Sequence, residues 1–401
     1  MNKSRDRIHF NNLRTINKDE KIVYCKNCTM SNQRPRIQFN EEGICSACVY
    51  HNYKNQVIDW DKREKELEEL CDKHRKEDGS WDVIVPISGS KGGSFIVDYL
   101  KEKFGMHPLT VTFAPTIPTE IGQENLFNIS YNGFDNILFT LEGITHKKLS
   151  KISLEEFGHI FLPFAYGQMN IPLQISVKFN IPFIMFGEKG DLEYGGNLSE
   201  WDSPILEISS DTLSDKMNGL PRPIATSDLS KSNWLPEGLK IKDLKSYMPP
   251  TKNELEKSNV KEYYFSYFNN WNPNEHFKIA EEKYGFEKNN TRIEGTYTKY
   301  SGLDDKLNGF HYYLMFIKQG IGRTTLDSSR DIRQGIISRD EGVDLVREYD
   351  GEFPSKYLEL FLEYMEITEE ELNEIFDKFR RPTIWTKENN NWKLRQQVTK
   401  L

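Results

Sequence analysis

From residue 80 onward, short apolar runs alternate with stretches whose apolar residues recur at helical spacing. Residues 83–87 (VIVPI) read as a buried strand. Phe95, Ile96, Tyr99, Leu100 and Phe104 then mark one helix face, which Gly105 ends. Residues 109–113 (LTVTF) predict a second strand. A helix over 120–132 stops at Gly133, and 136–140 (NILFT) form a third strand. Helices follow near 145–157 and 165–179, and a fourth strand over 182–186 ends at Gly187. This alternation predicts an α/β fold, a parallel sheet with helices on both faces. Ligands in such sheets sit at the carboxyl ends of the strands.

The flanking segments read differently. Residues 1–20 look arm-like, 21–55 carry two cysteine knuckles, and 59–78 predict a connecting helix. Residues 198–250 are rich in Ser, Pro and Asp and read as an irregular insertion. From about 255 the pattern is mostly helical, with an amphipathic helix pair at 359–380. The expected division is 1–58 (arm and knuckles), 59–250 (α/β domain) and 251–401 (mostly helical region).

Lys and Arg number 53 against 61 Asp and Glu, a net charge of −8. That argues against broad nucleic-acid binding, which needs a basic surface. No apolar run reaches the roughly 18 residues of a membrane helix. The first twenty residues lack the apolar centre of a secretory signal, so a cytoplasmic protein is expected.

Cys25, Cys28, Cys45 and Cys48 form two C-x2-C knuckles. Two such knuckles bring four thiolates into a tetrahedron suited to structural Zn2+, with no ligand position left for catalysis. Cys71 lies in a charged helical stretch and reads as half-buried.

Ser88-Gly89-Ser90-Lys91-Gly92-Gly93-Ser94 follows the first strand and opens a helix. Small residues let backbone N–H groups approach an anion, and the helix N-terminus adds positive potential. Ser88 and Ser94 can donate hydroxyl bonds, and Lys91 supplies a cation. The loop reads as a phosphate or pyrophosphate cradle. It lacks both the GK[ST] ending of a Walker A loop and the G-x-G-x-x-G of a dinucleotide site.

SGSKGGS resembles the PP-loop of ATP pyrophosphatases, SGGxDS or, in one branch, SGGKDGS. That branch is the N-acetyl sugar amidotransferases of surface-polysaccharide and flagellin-sugar biosynthesis. FGMHPLTVTF (104–113), FNIPFIMFGE (179–188), LEYGGN (192–197), the block at 295–325 and YDGEFP (349–354) are similar to it as well. The resemblance implies a Rossmann-like PP-loop fold, ATP and Mg2+ as cofactors, and conversion of an acetamido group of an N-acetyl sugar to acetamidino. Two positions depart from the pattern: Ser90 replaces Gly, and Gly92 replaces an Asp near the metal–pyrophosphate region.

The resemblance places Phe113 where adenine is received. Gly187 and Glu188 follow the fourth strand, with Glu193 on the adjoining loop. Asp304-Asp305 are a paired carboxylate, and Gly320-x-Gly322-Arg323 offers a turn with an anion clamp. Lys91, Glu188, Asp304, Asp305 and Arg323 are thus the catalytic candidates. A glutaminase of triad type needs a nucleophilic Cys, and all cysteines here precede residue 72. The resemblance therefore implies a separate glutaminase subunit, and a cyclase-like third partner. Competing readings are a nucleotide-binding scaffold, kept open by Gly92, and a tRNA-modifying PP-loop thiolase. The thiolase reading is opposed by the net charge and by the absence of later cysteines.

Overall fold

The computed structural model describes residues 13–15, 21–196, 198, 201–206 and 238–401. The arm expected over 1–20 lies largely outside these residues, as does much of the irregular segment at 198–250. Arg14–Thr15 (β1) pairs antiparallel with Gln38–Phe39 (β2) beside the knuckles. Ser46–Gln56 (α1) and Trp60–His74 (α2) lead into the sheet.

The α/β region then runs in the expected order: Val83–Pro86 (β3), Lys91–Phe104 (α3), Pro108–Phe113 (β4), Glu120–Tyr131 (α4), Asp135–Phe139 (β5), Gly143–Phe157 (α5), Leu162–Phe179 (α6), Phe183–Phe186 (β6) and Gly190–Tyr194 (α7). Gly105 ends α3 with φ +62°: its N–H bonds Lys101 C=O while Met106 N–H bonds Leu100 C=O. This left-handed glycine cap satisfies the last carbonyls of the helix.

Sequence pattern misses two of the six strands, Ile205–Leu206 (β7) and Lys261–Tyr264 (β8). Lys252–Ser258 (α8) lies between them in the chain, and Phe265–Phe268 (α9) and Pro273–Tyr284 (α10) follow. The sheet has six strands in the order β5-β4-β3-β6-β8-β7, parallel except for β7. It therefore continues past residue 250, where a domain edge was expected. The β8 run KEYY is short and half polar, and its register against Phe183–Phe186 of β6 makes it a strand. The remaining elements are Asn308–Gln319 (α11), Arg323–Arg333 (α12), Arg339–Tyr349 (α13), Leu358–Met365 (α14), Glu369–Phe379 (α15) and a hairpin, Trp385–Glu388 (β9) and Asn391–Leu394 (β10). The C-terminal region is mostly helical, as expected.

Side-chain alternation on β3 and β6 splits the core. Val83, Val85, Phe183 and Met185 face Leu67 and Cys71 of α2 and Phe95, Val97 and Leu100 of α3. Ile84 and Ile184 face the other way, toward Leu149 of α5 and Tyr166, Ile171 and Leu173 of α6. Burial on both faces is what a parallel sheet needs. Cys71 is fully buried rather than half-buried, because its helix lies flat on the sheet. A third core joins Phe310 and Leu314 of α11 to Phe361, Leu372 and Phe376 of α14 and α15. No helix among the described residues is long and apolar enough to cross a membrane.

Phe113 is 4% exposed and packs in the second core, where its ring lies over the backbone of Gly167. It is a core residue and not the open adenine platform that was expected. Its ring already serves α6. A Cβ at Gly167 would lie 2.1 Å from Phe113 Cζ. Gly167→Ala is thus expected to cost about 1–3 kcal/mol through overpacking, measured by urea unfolding.

Candidate functional site

Strand order reverses at β3. The chain steps outward to β4 and β5, then returns to place β6 on the other flank of β3. The loops after β3 and β6 therefore open a crevice at the carboxyl edge, where ligands of such sheets bind. The first loop is Ser88–Ser94, and the second begins at Gly187-Glu188.

Ser90 is the N-cap residue of α3, is exposed, and makes no side-chain cap hydrogen bond. The first turn also holds no acidic residue. The first amides of α3, at Lys91, Gly92 and Gly93, thus keep donors without a helical acceptor. Ser94 is turned inward, its hydroxyl donating to Ser90 C=O at 3.2 Å. Gly89 has φ +75°, and a Cβ there would sit 2.8 Å from Leu126 N. Only glycine lets the loop pass that close to α4.

Lys91 points into the crevice, its Nζ 4.4 Å from the ring centre of Tyr300. Burial, then the positive charges of Arg330 and Arg323, lower its pKa to about 8, while Asp327 and Glu188 partly offset them. Burial raises the carboxyl pKa of Glu188. Tyr194 donates to Glu188 Oε1 at 3.4 Å. Glu193 turns away to Lys54, whose ammonium sits 2.8 and 3.1 Å from its two oxygens.

The roof of the crevice is α12, RTTLDSSRDIR. Thr324 to Asp331 are all buried although seven of the eight are polar. Asp327 receives Thr296 Oγ1 at 2.8 Å, Ser301 Oγ at 3.0 Å and Arg323 Nε at 3.1 Å. Arg330 NH1 reaches its other oxygen at 3.3 Å, and Arg330 Nε bonds Asp331 at 3.0 Å. Burial opposes the charge of both arginines, but Asp327 more than compensates, and both stay firmly protonated. Arg323, Asp327 and Arg330 lie at i, i+4 and i+7, one helix face.

The remaining candidates divide. Asp304 is near Arg323 electrostatically and accepts from Asn308 Nδ2 at 2.9 Å. Asp305 is spent on backbone: Oδ2 accepts from Thr116 N at 2.6 Å and Ile117 N at 3.3 Å, and Oδ1 from Leu307 N at 2.9 Å. The catalytic expectation for Asp305 is corrected to a loop staple. Burial and the adjacent Asp304 raise its pKa to about 7 against those bonds. At Gly322-Arg323 the backbone of the helix start is taken by Asp350, while the Arg323 guanidinium pairs with Asp327 near Lys91. The Asp350 carboxylate accepts from Gly322 N at 2.8 Å and Thr325 N at 3.2 Å. Sequence reasoning did not select Arg330, Asp327, Tyr300, Asp350 or Trp271. The i, i+4, i+7 charge spacing on α12 was the available signal for the first two.

The knuckles bring all four cysteine sulfurs within 4.8 Å of one another, fully buried and unbridged. Cys25–Cys48 and Cys28–Cys45 are 3.9 and 3.7 Å apart. Metal–sulfur bonds of ~2.3 Å in a tetrahedron give edges of ~3.8 Å, so the cage fits one ion. Backbone N–H groups of Asn27 and Cys45 already point at Cys25 Sγ, at 3.4 and 3.3 Å.

Residues 294–399 match the family described as LPS biosynthesis protein WbpG-like, C-terminal domain. An uncharacterized protein of Methanocaldococcus jannaschii is 30% identical over 108 residues, 26% of this chain and 38% of that protein. The chain thus spans well under half the length of this curated relative. Similar solved structures include the NH3-dependent NAD synthetase of Campylobacter jejuni, at 12% identity and TM-score 0.26, covering 57% of this chain and 94% of that one. The U34-tRNA thiolase NcsA of Methanococcus maripaludis with its [4Fe-4S] cluster has 14% identity and TM-score 0.26, covering 69% and 79%. The NMN synthetase of Francisella tularensis has 11% identity and TM-score 0.24, covering 50% and 92%.

Asp327→Ala strands two buried guanidinium groups beside the crevice. It is expected to destabilise the protein by about 3–5 kcal/mol, measured by chemical denaturation.

Proposed function

We propose that this protein is an ATP-dependent amidotransferase that converts an acetamido group of an N-acetyl sugar to acetamidino in surface-polysaccharide synthesis. The observation that carries the reading is a convergence at the strand switch: Lys91, in the uncapped first turn of α3, lies near Arg323 and Arg330 of α12 and Glu188 of the loop after β6. The WbpG-like match of the C-terminal region supports the biosynthetic setting. The loop resemblance supports ATP.

In the proposed reaction the amide oxygen of the sugar attacks the α-phosphorus of ATP. The bond to the β-phosphate breaks, and pyrophosphate leaves into the amides and cations of the cradle. Ammonia then adds to the activated carbon. The carbon–oxygen bond breaks, AMP departs with the oxygen, and a proton is lost. Donors aimed at developing phosphate charge are the main protein contribution to such transfers. Mg2+ carried by ATP would supply further charge neutralisation, and Glu188, which lies near Lys91, is the carboxylate that would hold it. Cys71 cannot generate ammonia, since it is sealed in the core and burial pushes its thiol up to about 12. The other four thiols form the cage. Ammonia therefore comes from outside the chain, as from a glutaminase subunit. A thiolase has no free cysteine at this crevice.

The purified protein, with Mg-ATP, ammonium and a panel of free and nucleotide-linked N-acetyl sugars, is expected to release AMP and pyrophosphate only with the correct sugar. The product is lighter by one mass unit, NH replacing O. ATP binding without AMP from any N-acetyl sugar would favour the scaffold reading. Lys91 is charged below its pKa of about 8 and neutral above it. ATP affinity should therefore fall as pH rises through 8, and Lys91→Arg should flatten that fall.

We propose that the cysteine cage holds zinc. Metal analysis should find one zinc per chain. Chelation should lower the melting temperature and loosen the crevice, because the knuckle is bonded to α12 through Thr29.

A further inference from the structure

The two loops that form the crevice touch one and the same indole. A side-chain carbon on Gly92 would lie 3.1 Å from Cη2 and 3.2 Å from Cζ2 of Trp271. One on Gly187 would lie 3.2 Å from the same Cη2. Carbon atoms pack best at about 3.5–4.0 Å. A side chain at either position crowds the indole by a few tenths of an ångström, so Trp271 must yield by that much to admit one.

Trp271 is braced in that place. It is 6% exposed. Its ring meets His276 edge-on at 4.2 Å, and His276 stacks on Phe95 of α3 at 4.1 Å. Burial, then Lys91 and Lys54, lower the His276 pKa to about 3, so this bracing ring is neutral. The carbonyl of Trp271 accepts from Lys54 Nζ at 3.3 Å, and the same ammonium binds Glu193 on the loop after β6. The indole is thus fixed from α3, α10 and α1, with its benzo edge between the two loops.

We propose that Trp271 is a positioning residue, a wedge that sets the spacing between the phosphate loop and the Gly187-Glu188 turn, and that Gly92 is matched to it. This rests on the reading of the crevice as the ATP site. The related loop pattern has Asp at position 92, whose Cβ would press on the indole at 3.1 Å. The departure at Gly92 is therefore half of an adapted pair, with Trp271 filling the space that a loop carboxylate would take. Lys91 and Glu188 stand on the two loops that the wedge separates, so their separation follows from it.

Trp271→Phe tests this directly, because phenylalanine lacks the Cζ2–Cη2 edge yet keeps an aromatic ring beside His276. The full-length wild type, Gly92→Ala, Trp271→Phe and the double variant are compared by ATP calorimetry and thermal midpoint. In the wild-type background Gly92→Ala should weaken ATP about tenfold and lower the midpoint. Relative to Trp271→Phe alone, the double variant should lose less than about twofold. Equal penalties in both backgrounds, or no penalty in either, overturn the wedge. Gly92→Asp should weaken ATP binding in the wild-type background, and a gain in binding or in AMP release would also overturn it. If the wild type binds no ATP, the ATP reading falls, and the thermal midpoints alone decide the pairing of Gly92 with Trp271.

Discussion

A carboxylate with no exposure to water organises this molecule. Asp327 is fully buried and is held by two hydroxyls and two guanidinium groups. A buried charge persists only when it is paired and hydrogen-bonded. Its partners are therefore not free to drift, and they come from three places: the segment around Thr296 and Ser301, and two turns of α12. Fixing Asp327 fixes Arg323 and Arg330, and with them the roof over Lys91. Replacing this helix with apolar residues would make a more ordinary core. Its polarity makes sense when the arginine face lies against Lys91, which is how the proposed pyrophosphate site uses it.

The cysteine module acts on the same helix from behind. Thr29, next to Cys28, bonds Ser328 and Ser329, both at 2.9 Å. Ile37 and Cys48 share a core with Ile321 and Leu326 at the start of α12. The module also holds the loop after β6. Arg34 donates to Gly195 C=O at 2.6 Å, Arg36 pairs with Asp191 at 2.7 Å, and Ser46 donates to Gly196 C=O at 3.0 Å. One small module thus ties together the roof and one wall of the crevice. Arg333 completes the tie, its guanidinium donating to Glu193 C=O at 2.8 Å while its charge faces the cysteine sulfurs.

Much of this was legible in the chain. Strands β3 to β6 and their helices read directly, because the strands are short apolar runs set apart by helical spacing, and β3, β4 and β6 are largely buried. The strand–loop–helix order around Ser88–Ser94 read from its glycines and serines, and the cysteine cluster from its C-x2-C spacing. Residue type misled at Phe113 and Asp305. An aromatic at a strand end and a carboxylate in a pair each suit a ligand site, but packing used one on Gly167 and the other on the backbone of Thr116 and Ile117. The strand β8 was unreadable because its run KEYY is short and half polar, so only pairing with β6 makes it a strand.

The sequence by itself determined the local chemistry: which loop presents free amides, where a cation stands in it, which four thiols share a cage, and which runs are strands. Those properties depend on neighbours within one or two turns of chain. Tertiary structure decided which distant groups meet. It brought α12 over Lys91, set Asp350 on the start of α12, bound the knuckle to Ser328 and Ser329, and slid Trp271 between Gly92 and Gly187. Each of these contacts joins segments whose spacing along the chain carries no periodic signal. They form only when burial forces every polar group to find a partner and every apolar ring to find a space.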